Sequence, residues 1–147
     1  MRIISKRPGR RRGTTLVETA IAMGACLFFL FGIYEYGRFV MISHLLDNAA
    51  REGARQAVAN THTMTTADIQ STVTTYMANQ PVTIGSFSVY MADPSTGANT
   101  GTWNDAKFGE GIAVDIHGTY KPMLPTFGFL PTTVTMNFKV IMLSEAN

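Results

Sequence analysis

The chain has 147 residues, which is enough for one compact domain and too few for two. Its formal net charge is +2, but six of the twelve Lys and Arg residues precede residue 13, and the remainder carries six basic against ten acidic residues. This mildly acidic body lacks the basic face of a nucleic-acid-binding domain. Cys26 is the only cysteine, so an intrachain disulfide is excluded.

The first predicted element is a transmembrane helix that follows the basic leader. Residues 19–34 carry no charge, and the mostly apolar stretch over residues 16–42 is long enough to cross about 30 Å of hydrocarbon. Only three charged residues interrupt it, all near its ends: Glu18, Glu35 and Arg38. Because Lys and Arg stay on the cytoplasmic side, we expect the N-terminus inside and the chain after about Phe39 outside.

Two other interpretations of this stretch compete with a span. A secretory signal peptide has a shorter apolar region that ends at a small-residue cleavage site, whereas this one continues into a helical pattern. A buried core helix is disfavoured because the segment LFFLFGIY is apolar on every face and the domain is too small to surround it.

The helical pattern continues beyond the apolar stretch as an amphipathic segment. One stripe consists of apolar or small residues at helical spacing: Ile42, Leu46, Ala49, Gly53 and Ala57. Charged residues cover the other face and form the pairs Asp47–Arg51 and Glu52–Arg55. We therefore predict one helix over residues 14–60, about 70 Å long. Its stripe of small residues packs either on the chain's own sheet or on another subunit.

A second, shorter helix is predicted after a break at residues 61–66. Thr65 is the expected N-cap, and Asp68 lies in the first turn. The residues predicted to share one face are Ile69, Val73, Tyr76 and Met77. The sequence Asn-Gln-Pro at 79–81 ends the helix.

The rest of the chain is predicted to form strands. Residues 82–91 alternate with a phase slip at Gly85-Ser86, which indicates a β-bulge. Alternation recurs over residues 112–120 and most clearly over 134–142. One apolar face per strand predicts a small antiparallel sheet covered on one side by the long helix, an α+β fold.

Two connections between the strands differ in chemistry. Residues 93–111 form a polar loop rich in Gly, Asn, Asp and Thr. Residues 120–131 form an apolar loop with three prolines, which either folds onto the sheet edge or presents a partner-binding patch. Its apolar residues are Met123, Leu124, Phe127, Phe129 and Leu130.

The string RRRGTTLVETAIAMGA carries the functional signal. It places basic residues, then Gly13, then four residues, then Glu18, then an apolar helix. This pattern resembles the processing site of type IV prepilins, which a membrane peptidase cuts after the glycine. Thr14 stands where that class prefers Phe.

A carboxylate at the edge of a bilayer is costly unless it is paired, so Glu18 is a candidate functional residue. Cleavage after Gly13 would create an α-amino group on Thr14, one helical turn before Glu18. The same amine on a neighbouring subunit would set the axial register of an assembly. The alternative is an ordinary interfacial Glu near a helix N-terminus.

The segment HLLDNAAREGARQAV resembles TadE-like proteins, pilin-like components of tight-adherence (Flp) pilus systems, and FKVIMLSEAN resembles their C-terminal strand. Thr19 stands where the family more often has an aromatic residue. The resemblance implies a minor pilin or pseudopilin in the bacterial inner membrane or the pilus. The implied partners are a prepilin peptidase, TadF-like and major Flp pilin subunits and the assembly platform.

The expected organisation is a basic leader over residues 1–13, a transmembrane helix over 14–42 and an exported head over 43–147. Ala20 and Gly24 form a small-xxx-small pair suited to helix contacts in the membrane. No catalytic, cofactor or metal-ligand motif is readable, so we expect neither an enzyme nor a small-molecule substrate. The alternative function is an uncleaved signal-anchored envelope protein with an extracytoplasmic binding domain.

Overall fold

The computed structural model describes residues 12–123 and 131–145. They form two layers, one of helices and one of β-sheet. The elements are α1 (Arg12–Ala59), α2 (Thr66–Tyr76), β1 (Val82–Ala92), β2 (Asn99–Gly101), a 3₁₀ helix (Trp103–Asp105), β3 (Gly111–Tyr120) and β4 (Val134–Leu143). The predicted α+β fold with a long N-terminal helix is confirmed.

Helix α1 has 48 residues, which corresponds to about 72 Å. It contains no proline, so no residue interrupts the backbone hydrogen bonds between its two ends. The prediction of one unbroken helix over residues 14–60 is therefore confirmed to within the usual uncertainty of helix ends.

The sheet is antiparallel, with strand order β2-β1-β3-β4. The register passes from Ile84 opposite Gly118 to Ser86 opposite His117, so Gly85 is the extra residue of a β-bulge. The predicted phase slip is thus confirmed. At one end of the sheet, Tyr120 pairs with both Val82 and Val134.

The core lies between this sheet and the two helices. Leu46 and Gly53 of α1 are buried against it, and a Cβ on Gly53 would lie 3.0 Å from Val73 Cγ2 and 3.8 Å from Val114 Cγ1. At the other end of β3, the rings of Phe39 and Tyr120 meet edge-on with centroids 5.7 Å apart. β3 therefore runs back along α1, towards the apolar end of that helix.

Helix α2 begins as predicted. Thr65 Oγ1 accepts a hydrogen bond from the Asp68 backbone N–H at 3.3 Å, and the Asp68 carboxylate accepts one from the Thr65 N–H at 2.9 Å. This capping box satisfies two backbone donors that the helix itself leaves free. The side-chain and backbone donors of Thr65 lower the pKa of the Asp68 carboxyl.

Of the four residues predicted to share one face of α2, one is not buried with the others. Ile69, Val73 and Met77 are buried, but Tyr76 keeps 47% of its surface exposed. Ile69, Val73 and Met77 are four residues apart, and each such step advances about 40° around the helix axis. The buried side therefore turns towards Met77, and Tyr76 lies at its edge.

The connection between β1 and β3 has more structure than a polar loop. It contains the short edge strand β2 and the 3₁₀ helix, whose Trp103 is 1% exposed and donates from Nε1 to Thr66 Oγ1 at 2.9 Å. A three-residue strand is too short to show alternation, and the single buried Trp holds the loop against α2. This is why the sequence pattern did not reveal them.

Candidate functional site

The predicted cleavage junction lies in the first turn of α1. Gly13, Thr14 and Glu18 are helical and exposed. Thr19 Oγ1 donates to the Thr15 carbonyl at 2.8 Å, a local bond that caps no other element. Of the basic leader, residues 1–11 lie outside the described residues.

The first half of α1 is exposed along its whole length. All residues from 13 to 34 are exposed, and the most apolar window of the helix is 0% buried. A buried core helix is therefore ruled out for this stretch. By length and composition, α1 is able to cross a membrane.

The small residues predicted for helix packing fall into two groups. Ala20 and Gly24 are exposed, and a Cβ on Gly24 would meet no described atom within 4 Å. Ala49, Gly53 and Ala57 are buried under the chain's own head. The structure thus places only the second group in intramolecular contact.

The charged face of the second half of α1 forms the two predicted pairs. Arg51 Nε lies 3.1 Å from Asp47 Oδ2, and Arg55 Nη2 lies 2.7 Å from Glu52 Oε1. Hydrogen bonds from Arg55, and next from Gln56, lower the pKa of the Glu52 carboxyl. These exposed pairs keep the face opposite the stripe polar and solvated.

A polar junction that the sequence analysis missed connects α1 to the head. The Tyr120 hydroxyl donates to Glu35 Oε1, and the Met123 backbone N–H donates to the same oxygen at 3.3 Å. We call Glu35, Tyr120 and the Met123 N–H the helix–head clasp. It fixes the end of β3 to α1 at a point seven residues before Ile42, the last residue of the predicted span.

The clasp tyrosine stays protonated over the physiological range. Burial, together with the hydrogen bond and negative charge of Glu35, raises the pKa of Tyr120 to about 12. The hydroxyl is therefore a permanent donor to the carboxylate, and a charge-assisted bond of this kind is stronger than a neutral one.

The clasp also leaves two buried polar atoms without a partner among the described residues, Glu35 Oε2 and Arg38 Nη1. Both belong to charges that the sequence analysis used only to mark the end of the span. The sequence does contain a signal for Glu35. A carboxylate at the end of a predicted span is costly unless it is paired, and this argument applies to Glu35 as much as to Glu18. The partner itself, 85 residues away in the sequence, has no local signature.

The predicted apolar patch is described only in part. Met123 is 68% exposed, whereas Leu124, Phe127, Phe129 and Leu130 lie outside the described residues. Within residues 12–123 and 131–145, no three His, Cys, Asp or Glu side chains are grouped so that they could hold a metal ion.

The fold and these sites define a class of protein: an α+β protein whose N-terminal helix is exposed in its first half and is long enough to cross a membrane before it enters the head. Residues 13–55 match the family model described as TadE-like protein. The TadE-like resemblance is therefore confirmed for residues 13–55, which lie within α1.

The family match begins at Gly13 and ends within α1, so it does not extend to α2 or the sheet. Comparisons with curated proteins and with solved structures gave no match. The family resemblance thus rests on α1 alone.

Proposed function

We propose that the chain is a minor pilin or pseudopilin of a tight-adherence pilus system, with a structural rather than a catalytic role. In this proposal a prepilin peptidase cuts after Gly13, and the mature protein sits in the inner membrane with its head outside the cytoplasm. The observation that carries the proposal is one unbroken helix whose exposed first half contains the predicted junction and of which residues 13–55 match the TadE-like family model.

The exposed first half of α1 supports an assembly role. Its apolar side chains are left exposed by the described head, so they need lipid or other helices around them. In the membrane, lipid surrounds this half-helix. In an assembly, the helices of neighbouring subunits replace the lipid, and the small residues Ala20 and Gly24 allow close approach.

Glu18 supports a role in subunit register. No hydrogen bond or ion pair joins its exposed carboxylate to another residue whose side chain is described. An unpaired carboxylate beside hydrocarbon is costly, and the new α-amino group on Thr14 of the same or a neighbouring subunit would offset that cost. When the amine belongs to a neighbouring subunit, register follows because only one axial offset brings the two charges together.

The helical geometry at the junction sets a requirement on processing. Gly13 and Thr14 lie in the first turn of α1, and proteases cleave extended chain. The first turn must therefore unwind in the peptidase site. Glycine at position 13 favours this because glycine is the weakest helix former after proline.

The first experiment determines the N-terminus of the protein purified from cell membranes. The proposal predicts a chain that starts at Thr14. Gly13→Leu should leave the leader attached, while the matched change Gly9→Leu within the leader should leave cleavage intact. A wild-type chain that still carries residues 1–13 would support the signal-anchored alternative instead.

The second experiment tests Glu18. Glu18→Ala should insert into the membrane and be processed, yet be absent from, or strongly reduced in, sheared or membrane-bound pilus assemblies. Glu52→Ala, on the exposed face of the same helix, is the control and should assemble normally. Equal recovery of the two variants in assemblies would remove Glu18 from the proposal.

A further inference from the structure

The clasp determines where the head lies relative to the bilayer. Glu18 and Glu35 frame the uncharged part of the span and are 17 residues apart, which is about 26 Å along a helix. This distance is close to the roughly 30 Å thickness of the hydrocarbon core. If Glu18 lies at the inner edge, Glu35 therefore lies at the outer edge.

The membrane-proximal end of the head is held at the same level. The Met123 N–H is 3.3 Å from Glu35 Oε1, and Tyr120 bonds to the same atom. Lys121, between them, donates from its backbone N–H to the Pro81 carbonyl at 3.3 Å. The turn that leaves β3 is thus tied both to α1 and to the start of β1, so its height above the span is set by several bonds.

The side chains exposed at this level suit a lipid interface. Met123 is 68% exposed, and Tyr34 and Tyr36 on α1 are 58% and 69% exposed. Tyrosine is enriched where hydrocarbon meets head groups, because its ring is apolar and its hydroxyl is polar. Lys121 is also exposed, and a long basic side chain can extend its charge towards the head groups.

We infer that the head makes its own contact with the bilayer: Met123 inserts into the outer lipid interface at the level of Tyr34 and Tyr36, and the helix–head clasp holds it there. We call these three side chains the interfacial rim. The occupant is the lipid surface rather than a protein, because the rim is continuous with the span that already lies in lipid. This inference rests on the proposed anchoring of α1 and is independent of the pilus role.

The opposite end of the head supplies a matched control. Phe108 is 72% exposed and precedes β3, whose ten residues separate the two ends of the sheet by about 30 Å. Exposure and apolar character are thus similar at Phe108 and Met123. Only their distance from the span differs.

The test places a polarity-sensitive fluorophore at three positions of the full chain. The native Cys26 is labelled in the wild-type protein; Met123→Cys and Phe108→Cys are labelled in a Cys26→Ala background. Each protein is reconstituted into phosphatidylethanolamine–phosphatidylglycerol vesicles that carry a nitroxide either near the head group or deep in the acyl chain. Iodide serves as the aqueous quencher.

The expected result is that the deep nitroxide quenches the Cys26 probe most strongly. The shallow nitroxide should quench the Met123→Cys probe several-fold more than the Phe108→Cys probe, which iodide should quench instead. Adding Tyr120→Phe should reduce shallow quenching at position 123 without changing the Cys26 probe.

If Cys26 is quenched from the lipid but position 123 behaves like position 108, the rim inference is overturned while the anchoring stands. If Cys26 itself is not quenched by the deep nitroxide, the proposed span fails and the rim fails with it. The two failures are therefore distinguishable.

Discussion

The two halves of α1 share one backbone geometry but have opposite environments. Residues 13–34 are all exposed and, from residue 19 on, uncharged on every side, whereas the half from residue 35 to 59 buries one stripe of small and aliphatic residues under the head. The difference lies in the pattern of the side chains and not in helix propensity. A half-helix that is apolar on every side requires lipid or other helices around it. An amphipathic half has one apolar stripe, which the rest of the same chain can bury.

The largest effect should come from removing a large side chain from the buried half. Leu46 is 0% exposed, and Leu→Ala at such a site lowers the free energy of unfolding by about 2–5 kcal/mol. Leu30→Ala makes the same chemical change in the exposed half, where 56% of the side chain is accessible, and should leave the head's stability unchanged. Urea unfolding in detergent, followed by Trp103 fluorescence, measures both.

Trp103 is a suitable reporter because it is the only tryptophan and is 1% exposed in the head. Equal midpoints for Leu46→Ala and Leu30→Ala would contradict the division of α1 into two environments.

The second-largest loss of stability should come from adding side-chain volume to the buried small-residue stripe of α1. A Cβ on Gly53 already lies 3.0 Å from Val73 Cγ2, so Gly53→Leu should overpack the core and destabilise the head by about 1–3 kcal/mol. Gly32→Leu is the matched control, since a Cβ there meets no described atom within 4 Å. Both variants should still insert into the membrane; a normal urea midpoint for Gly53→Leu would mean that α1 is not tightly packed there.

The boundary between the halves is tested by removing the clasp hydroxyl. Tyr120→Phe deletes a hydrogen bond to a carboxylate and should cost about 1.5–3 kcal/mol of stability. Tyr36→Phe removes the hydroxyl of a tyrosine that is 69% exposed, one residue after Glu35, and should cost nothing measurable in the same unfolding assay. The clasp would be unimportant for stability if the two midpoints coincided.

The smallest effect is expected on the charged face of the buried half. Arg51 is 60% exposed and pairs with Asp47 at 3.1 Å, so Arg51→Gln should change stability by only a few tenths of a kcal/mol. High salt screens such a pair, and the difference from wild type should then vanish. A loss as large as that of Tyr120→Phe would show that the charged face, and not the stripe, holds this half.

Most of the secondary structure was predictable because its signals are local. The alternation of β1, β3 and β4, the bulge at Gly85 and the Thr65 cap each depend on residues close together in the sequence. The errors occurred where the signal was short or depended on geometry: β2 has three residues, and Tyr76 lies at the margin of a face.

The candidate site likewise has a part that local sequence predicts and a part that it does not. The change from a basic leader to an uncharged run after Glu18 predicts the cleavage junction and a helix able to span a membrane. Both predictions follow from the composition along the chain. The pairing of Glu35 with Tyr120 could not be predicted from the sequence. It joins residues 85 positions apart, brought together only when β3 runs back along α1.

The sequence by itself therefore determined the helix, its apolar stretch and its stripe, because periodicity and hydropathy act over a few turns. Only the tertiary structure decided that the stripe is covered by the chain's own head and that the head reaches down to Glu35. Those outcomes depend on long-range packing, in which a side chain's partner is set by the path of the whole chain and not by its neighbours.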